Sequence, residues 1–299
     1  MVSVSPETWD LLDALYAGGG FPREFEGAWM NGVALLEAVD GLRGRRPVLV
    51  EWRGNQKQPG DEPVPADLRI DHVYLVSCKY LSKIVTNTSP AGIFDRLLAG
   101  GHGGRSPNWY AEVAPAAYEA LYRAVRDHLG GRLPGREADL SAGQRAAVAR
   151  ELRGRWPVEL REVASTFSAV VAEASAARWR SAIASADRER VLWRLLRIGG
   201  APYFVLGSSP AGALRLRVGT VWDWRQRFRV TSFDVQPCVR GQPEVRWEVA
   251  VQDRRTRATS AVAGHVEIRW SHGKFAQPPE AKVYLDTPHQ LVPGYWPLV

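Results

Sequence analysis

Asp67, Ser77 and Lys79 are the residues whose types and spacing point to chemistry, and they fall within one stretch, Pro65–Lys79. That stretch reads as a β-hairpin. Leu68, Ile70, Tyr74, Val76 and Cys78 share one buried face if the turn is centred on His72. This register sets Asp67 opposite Ser77 on the other face, with Lys79 further along. It requires a loop of Asp71, His72 and Val73; a tighter turn at Asp71-His72 would send Asp67 and Ser77 to opposite faces. An acid and a lysine converging at the end of a buried hairpin suit phosphodiester hydrolysis. A carboxylate can hold a divalent cation that polarises the phosphate and acidifies a bound water. An ammonium can orient that water or offset the charge that develops on the phosphate.

Asp67, the turn Asp71-His72, the apolar run Val73–Val76 and Lys79 together resemble the signature of the PD-(D/E)xK nuclease superfamily. The departure is Ser77, where that family usually carries Glu, and a hydroxyl is a poor ligand for a hard cation. The resemblance implies a restriction-endonuclease-like fold: a mixed α/β sheet with flanking helices, over roughly residues 22–100. It also implies Mg2+ (or Mn2+) held by Asp67 and the carbonyl of Cys78, with Lys79 positioning the attacking water and Ser77 holding a water by a hydrogen bond. The second acid must then come from elsewhere, and Glu51 is the candidate. The activity so implied is DNA cleavage of a restriction or defence type. Two readings compete with it. One is a catalytically inactive nucleic-acid-binding or assembly subunit that keeps the fold. The other is a purely structural interaction protein in which Asp67 and Lys79 are a surface ion pair.

The elements that must position these residues are legible in outline. Ser5-Pro6 opens a helix with Trp9, Leu12, Leu15 and Tyr16 as its apolar face. A second helix starts at Pro22, with Phe25, Trp29, Val33, Leu36 and Val39 at helical spacing. Glu26 and Glu37 lie off that stripe; the resemblance allows either to lend an acid, and a solvated surface accounts for both. Pro47–Trp52 reads as a buried strand interrupted by Glu51, a carboxylate expected to be either functional or paired with arginine. The following loop carries Gln56, Lys57 and Gln58. Lys57 and Lys83 are candidate nucleic-acid contacts. Ser89-Pro90 opens a further helix with Ile93, Phe94, Leu97 and Leu98 inward.

The chain divides by pattern into an α/β segment (1–105), a helical segment (106–198) and a β-rich segment (199–299). In the helical part Ser141 and Gln144 spell a capping box, and Arg145, Arg150, Arg153 and Arg155 could line a nucleic-acid groove or a solvated face. In the last part Trp222–Phe228 interleaves aromatic and basic residues, a mixture that serves either base stacking or an ordinary core. Rival sites are weaker. Glu280-Ala-Lys282 repeats the Glu-x-Lys end of the signature, and His265, Glu267 and His272 could meet a metal. No phosphate-binding Gly-rich loop, nucleophile elbow or dinucleotide fingerprint occurs.

Composition bounds the function class. The 299 residues are 45% hydrophobic and 24% charged, which suits a globular protein. The net charge of +7 permits a nucleic-acid partner without requiring one. Only five lysines stand beside 34 arginines, so a lysine at the end of the motif is less easily a matter of chance. Cys78 and Cys238 fit no zinc spacing. The N-terminus lacks the regions of a signal peptide, and no apolar run approaches membrane-spanning length. A reduced, cytoplasmic protein is therefore expected, with no membrane partner. A homodimer, or a protein partner bound through the β-rich segment, would be compatible with this.

Overall fold

The computed structural model describes residues 1–53, 65–96, 108–209 and 212–299. Its α+β architecture is built on two sheets. The first takes β1 (Val50–Trp52), β2 (Leu68–Ile70), β3 (Tyr74–Tyr80), β5 (Tyr203–Ser209), β6 (Gly212–Val218) and β11 (Tyr295–Pro297), in that spatial order. The second orders β4 (Ile84–Thr88), β10 (Glu280–Leu285), β9 (Thr259–Arg269), β8 (Pro243–Asp253) and β7 (Phe228–Val239). β1, β2 and β3 form an antiparallel meander, whereas β3 and β5 run parallel. A parallel pair needs a long crossover, and here the crossover contains β4 and the helical middle of the chain.

Strand pairing therefore crosses the division into three consecutive segments. β5, β6 and β11 complete the sheet begun by the hairpin, and β4 leaves it to pair with β10. The change of composition at Gly199-Gly200 marks the end of the helical middle, not the edge of a sheet.

The helical middle runs α3 (Trp109–Val113), α4 (Pro115–His128), α5 (Ala142–Glu151), α6 (Arg161–Ser185) and α7 (Arg188–Leu195). The capping box of α5 forms as its sequence implies. Ser141 Oγ accepts the Gln144 N–H at 3.3 Å, and Gln144 Oε1 accepts the Ser141 N–H at 2.9 Å. In α6 the buried positions include Ala164, Phe167, Val171, Ala176, Trp179 and Ile183, one continuous face whose alanines bring the helix axis close to the second sheet. Trp179 meets Phe233 of β7 edge-on, with ring centroids 6.2 Å apart. The strands beneath alternate cleanly: Val262, Val266 and Ile268 of β9 are fully buried, as are Val245 and Val249 of β8.

Three local expectations are corrected. Of Pro47–Trp52 only Val50–Trp52 is strand, and Val48 is 91% exposed because its N–H turns to the carboxylate of Asp71. Trp222–Phe228 falls in the segment read as β-rich, but only Phe228 is strand: α8 (Val221–Arg227) is opened by a Thr220/Asp223 capping box, buries Trp224 and leaves Trp222 exposed. After Ser89-Pro90 the chain is helical as expected, with a wide turn over Gly92–Arg96 that buries Ile93 and Phe94; Leu97 and Leu98 lie outside the described residues.

The third correction concerns the first two helices. α1 (Pro6–Ala17) buries no residue, and Trp9, Leu12 and Tyr16 are exposed. α2 (Pro22–Glu37) buries Asn31 and Leu35, not the stripe of Phe25 and Trp29; Trp29 is 73% exposed. The cause lies in side-chain size and hydrogen bonding. Gly27, Ala28 and Gly32 face a groove shared with the sheet. Asn31 donates to the Gly207 carbonyl at 3.1 Å and accepts from Arg215 Nε at 2.9 Å, tying that face down.

Candidate functional site

The hairpin adopts the register on which the chemistry depends. Leu68 lies opposite Val76 and Ile70 opposite Tyr74, leaving Asp71, His72 and Val73 as the loop. Asp71 and His72 both take positive φ, 50° and 61°, a conformation that non-glycine residues avoid. Contacts from outside the hairpin hold it. Asp71 Oδ1 accepts the N–H groups of Val48 and Leu49, each at 2.8 Å, and Oδ2 accepts from Arg45 at 2.6 Å. The Leu49 amide and the Arg45 guanidinium keep the Asp71 carboxyl below its ordinary range.

One face of the hairpin, carrying Ile70 and Val76, packs on Leu35, Leu42, Phe204 and Leu206, as the alternation implies. The other face carries Asp67, Arg69, Leu75, Ser77 and Lys79. Asp67 Oδ2 accepts the Cys78 N–H at 2.6 Å and the Ser77 hydroxyl at 3.3 Å. The Asp67 N–H donates to the Val76 carbonyl, and its own carbonyl accepts from the Arg53 N–H, both at 2.8 Å. Oδ1 of Asp67 makes no hydrogen bond among the described residues. Ser77 is 1% exposed. The Lys79 ammonium donates to the Ile84 carbonyl at 3.3 Å. Thus Asp67, Ser77 and Lys79 meet on one face, the first two in direct contact.

The N–H and C=O of a strand residue face the same neighbouring strand. The Cys78 carbonyl is therefore directed toward the edge on which Asp67 sits, while its side chain turns to the opposite face. There the sulfur lies at a 740 Å³ groove beneath α2, and burial, then the charge of Asp67, push the thiol up to about 11.

Glu51 stands directly opposite Arg69 on the face of Asp67. Both its oxygens are engaged by Arg69, at 2.7 and 2.8 Å, and His72 Nδ1 is 3.2 Å away. Arg69 is the main cause of its lowered pKa. Glu51 is thus brought to the site face, and its carboxylate is committed to an arginine. Lys83 is exposed beyond the end of β3, on the rim of a 160 Å³ cavity with Asp286 and His289. Lys57 lies outside the described residues. Glu26 and Glu37 are both exposed.

Three residues that sequence reasoning did not single out belong here. Glu24 of α2 accepts the Tyr80 hydroxyl at 2.6 Å, so an acid of that helix reaches the end of β3, although on the groove face opposite Asp67. Arg197 and His289 line a small cavity with Ser77 and Lys79. His289 is separated from Lys79 by 210 positions in the chain, and only the approach of the segment before β11 joins them, so no local pattern could reveal it.

Burial, then the charge of Lys79, hold the His289 imidazole below its ordinary value of 6.5. The folded protein keeps it neutral where the unfolded chain takes up a proton, so its contribution is undiminished above about 6.5 and declines as pH falls below that value. The thermal midpoint should accordingly drop between pH 7 and pH 5, and His289→Gln should reduce the drop. Melting curves across that range check this, and an unchanged slope in the variant would contradict it.

The rival residues all have partners on the outer face of the second sheet. His265 contacts Asp286 at 3.0 Å and stacks on Tyr284. Glu267 accepts from Arg269 at 3.1 Å, and His272 lies 3.5 Å from Glu280. Lys282 is opposite Glu267 in the ladder. Among the described residues no cluster of three or more His, Cys, Asp or Glu side chains could hold a metal ion, and no helix is long and apolar enough to cross a membrane. Comparison with protein families, curated proteins and solved structures finds no match for this chain.

Proposed function

We propose that the chain is a metal-dependent nuclease of the PD-(D/E)xK type that hydrolyses DNA phosphodiester bonds. The observation that carries the reading is the convergence of Asp67, Ser77 and Lys79 on one face of β2 and β3. The order of elements is compatible with it: α2, β1, the hairpin of β2 and β3 and, after β4, the helical turn Gly92–Arg96 follow the helix, strand, hairpin, helix order that the resemblance implies.

The donor set suits a hard cation in part. Oδ1 of Asp67 and the Cys78 carbonyl are both hard oxygens at one sheet edge, and magnesium commonly takes one or two carboxylates, with water and phosphate completing its shell. Glu51 does not join them, because Arg69 holds both its oxygens. Bound there, Mg2+ or Mn2+ would polarise the phosphate and acidify a water. Lys79 supplies a positive charge beside the developing phosphate charge and orients the attacking water. Ser77 fixes the Asp67 carboxylate through its hydroxyl. Arg69, anchored by Glu51, adds a cation to the same face.

On this account Glu51→Gln should change the cleavage rate by less than about threefold, because the position only steadies a partly exposed arginine. A loss of 100-fold or more would instead place Glu51 among the acids of the site. The proposal extends to a reducing cytoplasm, consistent with the free thiols of Cys78 and Cys238. It also extends to a dimer, since cutting both strands suits a two-fold pair.

A second reading is favoured by the same Glu51–Arg69 pair and by serine at position 77: an inactive subunit that keeps the fold and binds nucleic acid. DNA binding measured beside cleavage in Mg2+ or Mn2+ tests the choice. Cleavage lost in Asp67 and Lys79 variants supports the nuclease; binding without cleavage under either metal supports the subunit.

A further inference from the structure

A cavity of 670 Å³ opens where α5 and its following loop meet β8 and β9 of the second sheet, remote in sequence from the hairpin. Arg153, Arg155, Arg161, Arg240, Arg269 and Lys274 all line it, and no Asp or Glu is among its lining residues. Arg153, Arg155 and Arg240 make no ion pair among the described residues and are exposed. Two acids stand behind the wall: Glu267 is already engaged by Arg269, Tyr284 and Gln242, and the buried Glu244, next to the lining Pro243, interacts through its charge with Arg240.

The rest of the wall is aromatic. Trp270 stacks on Phe167 with centroids 6.0 Å apart and planes 16° apart, and Tyr110 meets it edge-on at 4.7 Å. Trp156 stands at 67° to Trp270, 6.4 Å away, and both indoles are half-buried. The backbone around them is fixed. Lys274 Nζ donates to the carbonyls of Leu152 and Gly154, each at 2.6 Å, and lies 4.6 Å from the Trp156 ring centre. Gly273 has φ +100°, and a Cβ there would stand 2.8 Å from that of Ala149, so the turn closes on α5 only with glycine.

A concave site of this size with aromatic walls and exposed guanidinium groups matches a flat aromatic ring that carries a phosphate. We infer that this cavity binds a nucleotide, its base against Trp156 and Trp270 and its phosphate among Arg153, Arg155 and Arg240. The ligand is either a free nucleoside phosphate or a nucleotide of a single strand; the chemistry is the same. Aromatic contact supplies sequence-tolerant affinity for a base, and the arginines supply a salt-dependent attraction for the phosphate. The inference does not rest on the hydrolytic reading.

Calorimetric titration with deoxyadenosine monophosphate, deoxyadenosine, inorganic phosphate and a short 5′-phosphorylated single strand tests it, in the native protein and in Asp67→Asn. The monophosphate or the strand should bind more tightly than either deoxyadenosine or phosphate, and equally in both proteins. Trp156→Ala should weaken that binding about tenfold, with Trp156→Phe restoring much of it. Arg155→Ala combined with Arg240→Ala should weaken it and flatten its salt dependence. Equal affinity for monophosphate and strand identifies a free nucleotide; much tighter strand binding identifies a strand. Failure of both to bind better than phosphate, or binding indifferent to Trp156 and Arg240, overturns the inference. Neither result touches cleavage at Asp67.

Discussion

Replacing Gly207 by alanine is expected to destabilise the protein by about 3 kcal/mol or more. β5 lies between β3 and β6, with Gly207 paired to Lys79 across the parallel ladder. A Cβ at Gly207 would lie 1.5 Å from the Lys79 carbonyl oxygen and 2.5 Å from its carbon. Those are backbone atoms, so no rotamer change relieves the clash and the strands must part. Parting them also loosens the hydrogen bond from the buried Asn31 to the Gly207 carbonyl, which seats α2. The shift in denaturant midpoint measures the loss. Gly143→Ala is the control: a Cβ there meets nothing within 4 Å, and alanine suits a helix better. A Gly207→Ala protein as stable as the native one would show that β3 and β5 are not paired in this way. Because Lys79 is the strand partner, the proposed function also expects reduced cleavage in whatever fraction remains folded.

The second large effect is functional. Asp67→Asn should reduce metal-dependent cleavage on the order of 10³-fold while leaving the fold in place. On the proposed function Asp67 has two roles that this substitution separates. As an acceptor for the Cys78 N–H and the Ser77 hydroxyl it closes the end of the hairpin, and an amide oxygen can keep that role. As an anion it is the sole carboxylate at this edge not held by an arginine among the described residues, and the amide loses that charge. Near-native melting with cleavage lost would locate the role in the charge. Near-native melting with native cleavage would remove Asp67 from the chemistry. Asp67→Ala is less informative, since it leaves the Cys78 amide without its partner.

The hairpin was legible because strict alternation allows only one register that buries Ile70 and Val76 together. Its loop was legible in length but not in cause, since Asp71 is held by Arg45, Val48 and Leu49 from the preceding segment. The role of Glu51 hinged on a cross-strand partner. Arg69 proves to lie directly opposite, and a register of β1 against β2 cannot be read from a short strand. α2 misled because periodicity marks apolar positions, not the face that small residues allow to approach a sheet. The wall formed by His289, Arg197 and Tyr203 around Lys79 depends on a crossover of over a hundred residues, and local pattern carries no information at that range. The same holds for the arginine-lined cavity: Arg153 and Arg155 stood out in sequence, but Arg240 and Trp270 join them only through the packing of the second sheet.

The most direct measurement is cleavage of supercoiled plasmid and of single-stranded DNA in Mg2+ and in Mn2+ by the native protein and by Lys79→Ala, with DNA binding followed in parallel. The proposed function predicts metal-dependent cutting by the native protein, abolished by chelation and reduced about 10² to 10³-fold in the variant, with binding retained. Native protein that binds DNA but cuts neither substrate under either metal, or cutting that survives Lys79→Ala undiminished, would contradict it.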